Sequence, residues 1–393
     1  MPGTNSVFAR RLGHDGSLRV AAVLIAFLAV PAVARAQGGW TLGHARSLLA
    51  ARTYYVTDAT QADRPDYELT FDRRAVKSLR PGFAFDGPAH DNVSGADVRV
   101  RFRFLRPGRI TRFRGPPADT SQPAFPIRAA FYYAWYPEAW SRATVFPYSR
   151  FVPSLDYYSA DDAEIVQAHL AAFRYAHLDA GIYSWWGPFG YPLTDTRFWR
   201  YLAAARTTPF RWALYYEREG YEDPSADKIR SDLEYIRDLY AAKPSYLKMD
   251  GHFVVFVYGG PGDTCETVTQ RWSEGNTVGA YIVLKAFDGY LTCGCVPQAW
   301  HEYSAALPAY ALPPSAFMIS PGFDEASATE PRLTRDLARW RDDVSAMVDS
   351  GAAWQLILSF NEWPEGTSVE SAQQWETPSG YGAYLDVLHD ALP

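Results

Sequence analysis

From about residue 128 onward the chain alternates between short apolar runs and longer stretches with helical spacing. The apolar runs are Ala129 to Trp135, Ala180 to Trp185, Arg211 to Tyr216, Phe253 to Tyr258, Ala280 to Lys285, Ala316 to Ser320 and Trp354 to Phe360. A weaker one lies near Trp300 to Ser304. Between them, Asp162 to His177, Asp227 to Ala242 and Leu333 to Val348 read as amphipathic helices, with Asp161 and Ser225 standing where N-caps would. Strands apolar on both faces and separated by helices suit a parallel sheet that is covered on both sides. Eight such units in about 265 residues predict a (β/α)8 TIM-type barrel, an α/β fold, over 125–393. An open doubly wound sheet is the alternative. It finds no phosphate-loop support, since Gly259-Gly260-Pro261-Gly262 matches neither G-x-G-x-x-G nor G-x-x-x-x-G-K-[ST].

The first third has a different period. Tyr54 to Val56, Tyr67 to Phe71 and Ala96 to Leu105 read as short strands. Val98-Arg99-Val100-Arg101-Phe102-Arg103-Phe104 alternates strictly, as a half-buried strand does. Arg106, Arg109, Arg112 and Arg114 continue the basic run, whose simplest account is a solvated strand face. Residues 37–120 are thus expected to form a small accessory β-rich region, joined by a Pro-rich linker from Pro116 to Pro126.

Residues 1–36 fit an export signal. Arg10, Arg11 and Arg19 precede the apolar run Val20 to Val30, and Ala34-Arg35-Ala36 supplies small residues for cleavage. That run is too short to span a bilayer. Its removal takes away four Arg and one Asp, which moves the net charge from −6 to −9. The mature chain is therefore expected to be secreted or periplasmic, with no membrane segment and no nucleic-acid partner. Three cysteines, Cys265, Cys293 and Cys295, allow one disulfide between Cys265 and a member of the close pair. No metal or cofactor is expected, because three sulfurs lack a fourth ligand and His301-Glu302 stands alone.

In a barrel of this kind chemistry sits where strands end. Polar and aromatic residues collect there: Trp135-Tyr136-Pro137, Ser184-Trp185-Trp186-Gly187, Tyr216-Glu217-Arg218-Glu219, Tyr258, Lys285 and Ser320 to Asp324. The last run ends in Phe360-Asn361-Glu362-Trp363-Pro364-Glu365-Gly366-Thr367. Pro364 and Gly366 favour a turn, which would bring Glu362 and Glu365 to roughly the spacing that a retaining glycosidase needs.

At this point the chain resembles the endo-α-mannosidase family of glycoside hydrolases (family 99) and its 71/99-like bacterial relatives. Matching segments are FYYAWYP from Phe131, YYSADDAEIVQAHL from Tyr157, GIYSWWGP from Gly181, DLEYIRDLY from Asp232, FVVFVY from Phe253, ISPGFD from Ile319 and SFNEWPEGTSVE from Ser359. The resemblance implies a retaining hydrolase of α-linked oligosaccharides or polysaccharides. Glu362 would take the proton of the sugar's 2-hydroxyl, giving a 1,2-anhydro sugar, while Glu365 protonates the leaving oxygen and later activates water. Burial beside Trp363 would raise the acid's pKa. Glu217, Asn361, Tyr133, Tyr136 and Tyr258 are candidates for sugar hydroxyls, with Lys285 and Asp324 as further strand-end candidates. Trp135 and Trp186 are candidates for stacking on sugar faces. Two departures bear on specificity. Pro364 stands where the characterised relatives have His, and no His-Trp element follows the first strand. The rival readings are a non-catalytic carbohydrate-binding barrel and a polysaccharide-assembly protein.

Overall fold

The computed structural model describes residues 41–392 apart from 50–52, 57–62, 81, 105–109, 189, 191–192, 261, 288 and 295. The export-signal reading of residues 1–36 lies outside the described residues. Leu42–Pro393 forms one compact unit. It contains two sheets.

The first follows a short helix α1 (Leu42–Leu48) and is antiparallel. Its strands are β1 (Thr53–Tyr55), β2 (Tyr67–Thr70), β3 (Lys77–Ser78), β4 (Phe83–Asp91), β5 (Ala96–Phe104) and β6 (Ile110–Arg114), in the order β1-β2-β4-β5-β6 with β3 beside β4. The arginine alternation falls as expected. Val100, Phe102 and Phe104 are buried, and Phe83 and Phe85 of β4 stack on them at 5.5 and 5.2 Å between ring centres. Arg99 and Arg101 point outward and share Asp86. Exposed pairs of this kind contribute little to stability. The nine-residue strand β4 was not apparent from the pattern because Gly87-Pro88 interrupts it. On one side β3 covers residues 83–84 and β2 covers residues 90–91, which leaves a gap where a residue without an N–H is tolerated.

The stretch Pro116 to Pro126 is docked rather than free. Asp119 and Ser121 receive the guanidinium of Arg211, Gln122 bonds the backbone of Tyr246 and Lys248, and Phe125 packs edge-on to Trp354. The strap thus runs across the N-terminal end of the second sheet.

That sheet begins with β7 (Ile127–Tyr132), α2 (Ala163–Tyr175), β8 (Ala180–Trp185), α3 (Thr194–Ala205), β9 (Arg211–Tyr216), α4 (Glu219–Glu222) and α5 (Ala226–Ile236). It continues through β10 (Lys248–Met249), β11 (His252–Val257), α6 (Cys265–Gly275), β12 (Tyr281–Lys285), β13 (Ala299–His301), β14 (Ala309–Leu312), β15 (Ala316–Ile319), α7 (Leu337–Asp349), β16 (Trp354–Ile357) and α8 (Ala383–Ala391). Parallel pairing runs β13-β12-β11-β9-β8-β7-β16-β15, with β10 and β14 added antiparallel. The circle is nearly closed. Ser315, just before β15, accepts from Trp300 N at 2.9 Å and donates to Trp300 O at 2.7 Å on β13.

Two departures from eight regular strand–helix units stand out among the described residues. β12 is followed by a short 3₁₀ turn and β13 by β14, with no α-helix after either. A disulfide, Cys265–Cys293, ties the start of α6 to this helix-poor quarter, choosing Cys293 of the two expected partners. Helix starts agree in part with expectation. Ser225 caps α5, but Asp162 rather than Asp161 caps α2, because Asp161 is drawn into an ion pair with Arg197. The third helix begins at Leu337, capped by Asp336, because Leu333 instead pairs with Phe323. No described helix is long and apolar enough to cross a membrane.

Strand alternation sorts the core into two layers. Ile127, Ala129, Phe131, Ile182, Tyr215, Val254, Phe256, Val283, Trp354 and Leu356 fill the barrel interior. Ala130, Tyr132, Tyr183, Trp212, Val255 and Ile357 pack outward against the helices. The same parity carries Tyr133, Ser184, Glu217, Tyr258 and Lys285 onto the inward register at the C-terminal ends of their strands.

Candidate active site

The site is organised by the loop after β16. Ser359 Oγ accepts from Glu362 N at 2.8 Å and is 2.8 Å from Thr367 Oγ1, which draws the loop into a closed bend. Trp363 O accepts from Gly366 N at 3.1 Å, so residues 363–366 form the predicted turn with Pro364 at its second position. Gly366 has φ +64, and a Cβ there would lie 2.5 Å from Asp324 O. Only glycine fits both requirements. Asp324 N in turn donates to Glu365 O, and Arg335 donates to the carbonyls of Gly366 and Ser368. Asp324 is therefore a brace of the loop, with its carboxylate 3.4 Å from Arg150.

Asn361, Tyr136 and Trp363 lie fully buried beneath this turn. Asn361 uses its side-chain amide to bond both N and O of Tyr133, at 2.8 and 2.9 Å, in the manner of a strand partner. Tyr136 donates its hydroxyl to Asn361 O and accepts from Trp363 N. Trp363 Nε1 donates to Glu370 Oε2 at 3.1 Å and packs parallel to Trp375. Their contacts position the loop and give them no surface that faces a sugar. Glu370 is the hub of that support, and sequence reasoning missed it. Its carboxylate also accepts from Tyr158 at 2.8 Å and meets His169 Nε2 at 3.0 Å, while His169 Nδ1 meets Tyr132. Only its place in the SFNEWPEGTSVE segment could have signalled it.

Glu362 is 3% exposed, and its Oε2 has no hydrogen-bond partner among the described residues. Oε2 of half-buried Glu365 is in the same state. Burial raises the proton affinity of Glu362 well above the carboxylate range, with Glu365 and Glu217 adding repulsion. Burial pushes Glu365 up to about 7, helped by Glu325 and opposed by Arg332. Glu217, at the end of β9, is pushed up to about 8 by burial and by Glu365, against the pull of Lys285. A carboxylic acid that titrates near neutrality can both give and take a proton.

Aromatic rings border these groups. Trp135 stacks on Tyr133 at 4.7 Å, and the Tyr133 hydroxyl bonds that of Tyr303. Half-buried Trp186 lies 5.1 Å from Tyr221, Tyr221 5.7 Å from Tyr258, and Tyr258 5.6 Å from Tyr303. The rings form a series from an exposed position, Tyr221, to the hydroxyl pair at the carboxylates. Tyr303 and Tyr221 were missed. The first sits in the weakest strand signal, and the second in a short helix after β9.

One further acidic cluster exists among the described residues. Glu219, Asp223 and Asp263 converge, but Arg271 lies among them, forms an ion pair with each and offsets part of their charge.

No family model matches the chain, and no curated protein does either. Among solved structures, the chain is similar to the GH99 endo-α-mannosidase from Bacteroides thetaiotaomicron in complex with bis-tris-propane, with 19% identity and a TM-score of 0.54 over 68% of this chain and 96% of that one. A second structure of that enzyme gives 19% identity and a TM-score of 0.52 over 69% and 100%. A glycoside hydrolase-like protein gives 15% identity and a TM-score of 0.51 over 70% and 96%. The resemblance read from seven sequence segments thus extends to the fold.

Proposed function

We propose that this protein is a retaining glycoside hydrolase on a variant (β/α)8 barrel, acting on α-linked glycans of endo-α-mannosidase-like, trans-1,2 configuration. The observation that carries the reading is the pair Glu362 and Glu365 in one loop beyond the C-terminal end of β16. Each is held by a backbone hydrogen bond, and each has a carboxyl oxygen without a partner among the described residues. Glu362 serves as base toward the sugar's 2-hydroxyl, whose oxygen then attacks C1 to give a 1,2-anhydro sugar. Glu365, titrating near neutrality, protonates the departing oxygen and afterwards takes a proton from the water that opens the intermediate. Positive charge that builds at C1 is offset by the carboxylate that Glu365 becomes as it gives its proton to the leaving oxygen. In this reading Glu217 bonds a sugar hydroxyl, and Trp135, Trp186 and Tyr258 border the ring. Residues 1–36 act as an export signal in this reading, and residues 37–120 as an accessory β-rich region.

The test is hydrolysis of a panel of α-linked glycans by the wild type and by Glu365→Gln, with product anomers followed by NMR. Retained configuration, with turnover lost in the variant, is the expected result. Binding without turnover by both proteins would replace the reading by a carbohydrate-binding barrel.

A further inference from the structure

Lys285 ends β12 on the inward register, two residues after Val283 of the barrel interior. It is 6% exposed. Its Nζ lies 4.4 Å from the ring centre of Tyr258, 4.7 Å from that of Phe287 and 5.9 Å from that of Tyr303. Tyr258 and Tyr303 belong to the ring series beside the carboxylates, so the ammonium stands in the wall of the same site. Ring faces attract a cation but give its three N–H groups no oxygen acceptor. Glu302 and Glu217 act on it only through space. Glu302 Oε1 is engaged by Tyr303 N and Ser304 Oγ, at 3.0 and 2.6 Å. Burial lowers the proton affinity of Lys285, as expected of a cation whose charge is incompletely compensated.

A desolvated ammonium gains more from an anion than from a neutral hydroxyl, because only the anion offsets its charge. The nearby carboxyl groups do not bar such a ligand. Burial pushes Glu217 up to about 8 and Glu365 up to about 7, so near pH 6.5 these two are largely uncharged, while Glu302 is already engaged by Tyr303 N and Ser304 Oγ. We propose that Lys285 reads an anionic substituent, so that the glycan taken by this site carries a carboxylate, as a hexuronic acid does, or a sulfate ester in the same place. The inference rests on the carbohydrate reading of the site but not on turnover.

The experiment measures binding by NMR titration to matched ligands that differ only at C6. They are methyl α-mannopyranoside, its uronic acid and its 6-sulfate, tested at pH 6.5 in low and high salt. The wild type should bind at least one anionic glycoside about tenfold more tightly than the neutral one, with the gap narrowing in salt. Which anion wins identifies the source. In Lys285→Met the preference should vanish while neutral binding stays within about twofold, and Lys285→Arg should restore part of it. Equal wild-type affinity for charged and neutral ligands, or no detectable binding of either anion, overturns the proposal. An equal loss for all ligands in Lys285→Met does so as well. If the preference holds while the α-linked glycan panel is bound but not hydrolysed, the hydrolase reading falls and this one stands.

Discussion

The two ends of the barrel bury charge in opposite ways. At the N-terminal end, fully buried Arg211 donates to the carbonyls of Ser121, Thr208 and Phe210 at 2.7, 2.6 and 2.7 Å, and to Asp119 at 2.9 Å. At the C-terminal end, Glu362 and Glu365 each keep an oxygen without a partner among the described residues. A buried group that is fully bonded works as a clamp. One left unbonded costs about 1–3 kcal/mol, and it is retained where a ligand supplies the missing partner. Burial alone therefore does not mark a site, and neither does a lone unbonded atom such as Asp343 Oδ2 on α7; what distinguishes this end is two such carboxyl groups three residues apart in one loop.

The largest effect that would break this contrast is catalytic. Glu365→Gln or Glu362→Gln should lower kcat/KM by about a thousandfold or more without lowering Tm, read by hydrolysis and by thermal melts. At the opposite end, Arg211→Met should cost about 3 kcal/mol in denaturant unfolding, while kcat/KM of the folded fraction stays unchanged. Were Arg211→Met to abolish turnover in folded protein, the separation of the two ends would fail.

Glu370→Gln falls between the two. It keeps the shape of the hub but changes a charged acceptor for Trp363, Tyr158 and His169 into an amide. Loss of about tenfold to a hundredfold in kcat with KM unchanged would identify it as a positioning residue for the turn, acting through Trp363. A drop in Tm with normal kcat would make it a purely structural group.

The smallest effect sharpens the contrast by pH. Burial raises Glu217 to about 8, from an unfolded value near 4.5. Below about pH 4.5 both states hold the proton and the group has no effect. As pH rises from there through about 8 the unfolded chain releases it first, so folding stability is lost across that window. Glu217→Gln should therefore flatten the decline in Tm between about pH 5 and pH 8 by about 3 °C. An unchanged slope would mean that Glu217 is solvated in the folded state.

Much of the fold was legible because apolar runs of strand length leave few other solutions. Ala180 to Trp185 and Arg211 to Tyr216 appear with the predicted ends, and the 363–366 turn follows from Pro364 and Gly366. The site was legible where a strand end coincided with a polar or aromatic residue, as at Tyr133, Glu217, Tyr258, Lys285, Glu362 and Glu365. Tyr303, Tyr221 and Glu370 were not, because their roles come from neighbours far along the chain. The same limit applied to Trp363, Asn361 and Tyr136. As residue types they suit a sugar cleft, yet each is sealed beneath the turn by partners from other strands and loops.

What the sequence by itself determined is therefore local: strand and turn identity, the inward parity of strand ends, and the spacing of the two carboxylates. What only the tertiary structure decided is which polar groups meet a partner. It paired Cys265 with Cys293, placed Arg271 among the acids of one cluster, and left Glu362, Glu365 and Lys285 in a common wall without full compensation. Periodicity acts over a few residues and is written in the chain, whereas satisfaction depends on atoms brought together from across the barrel.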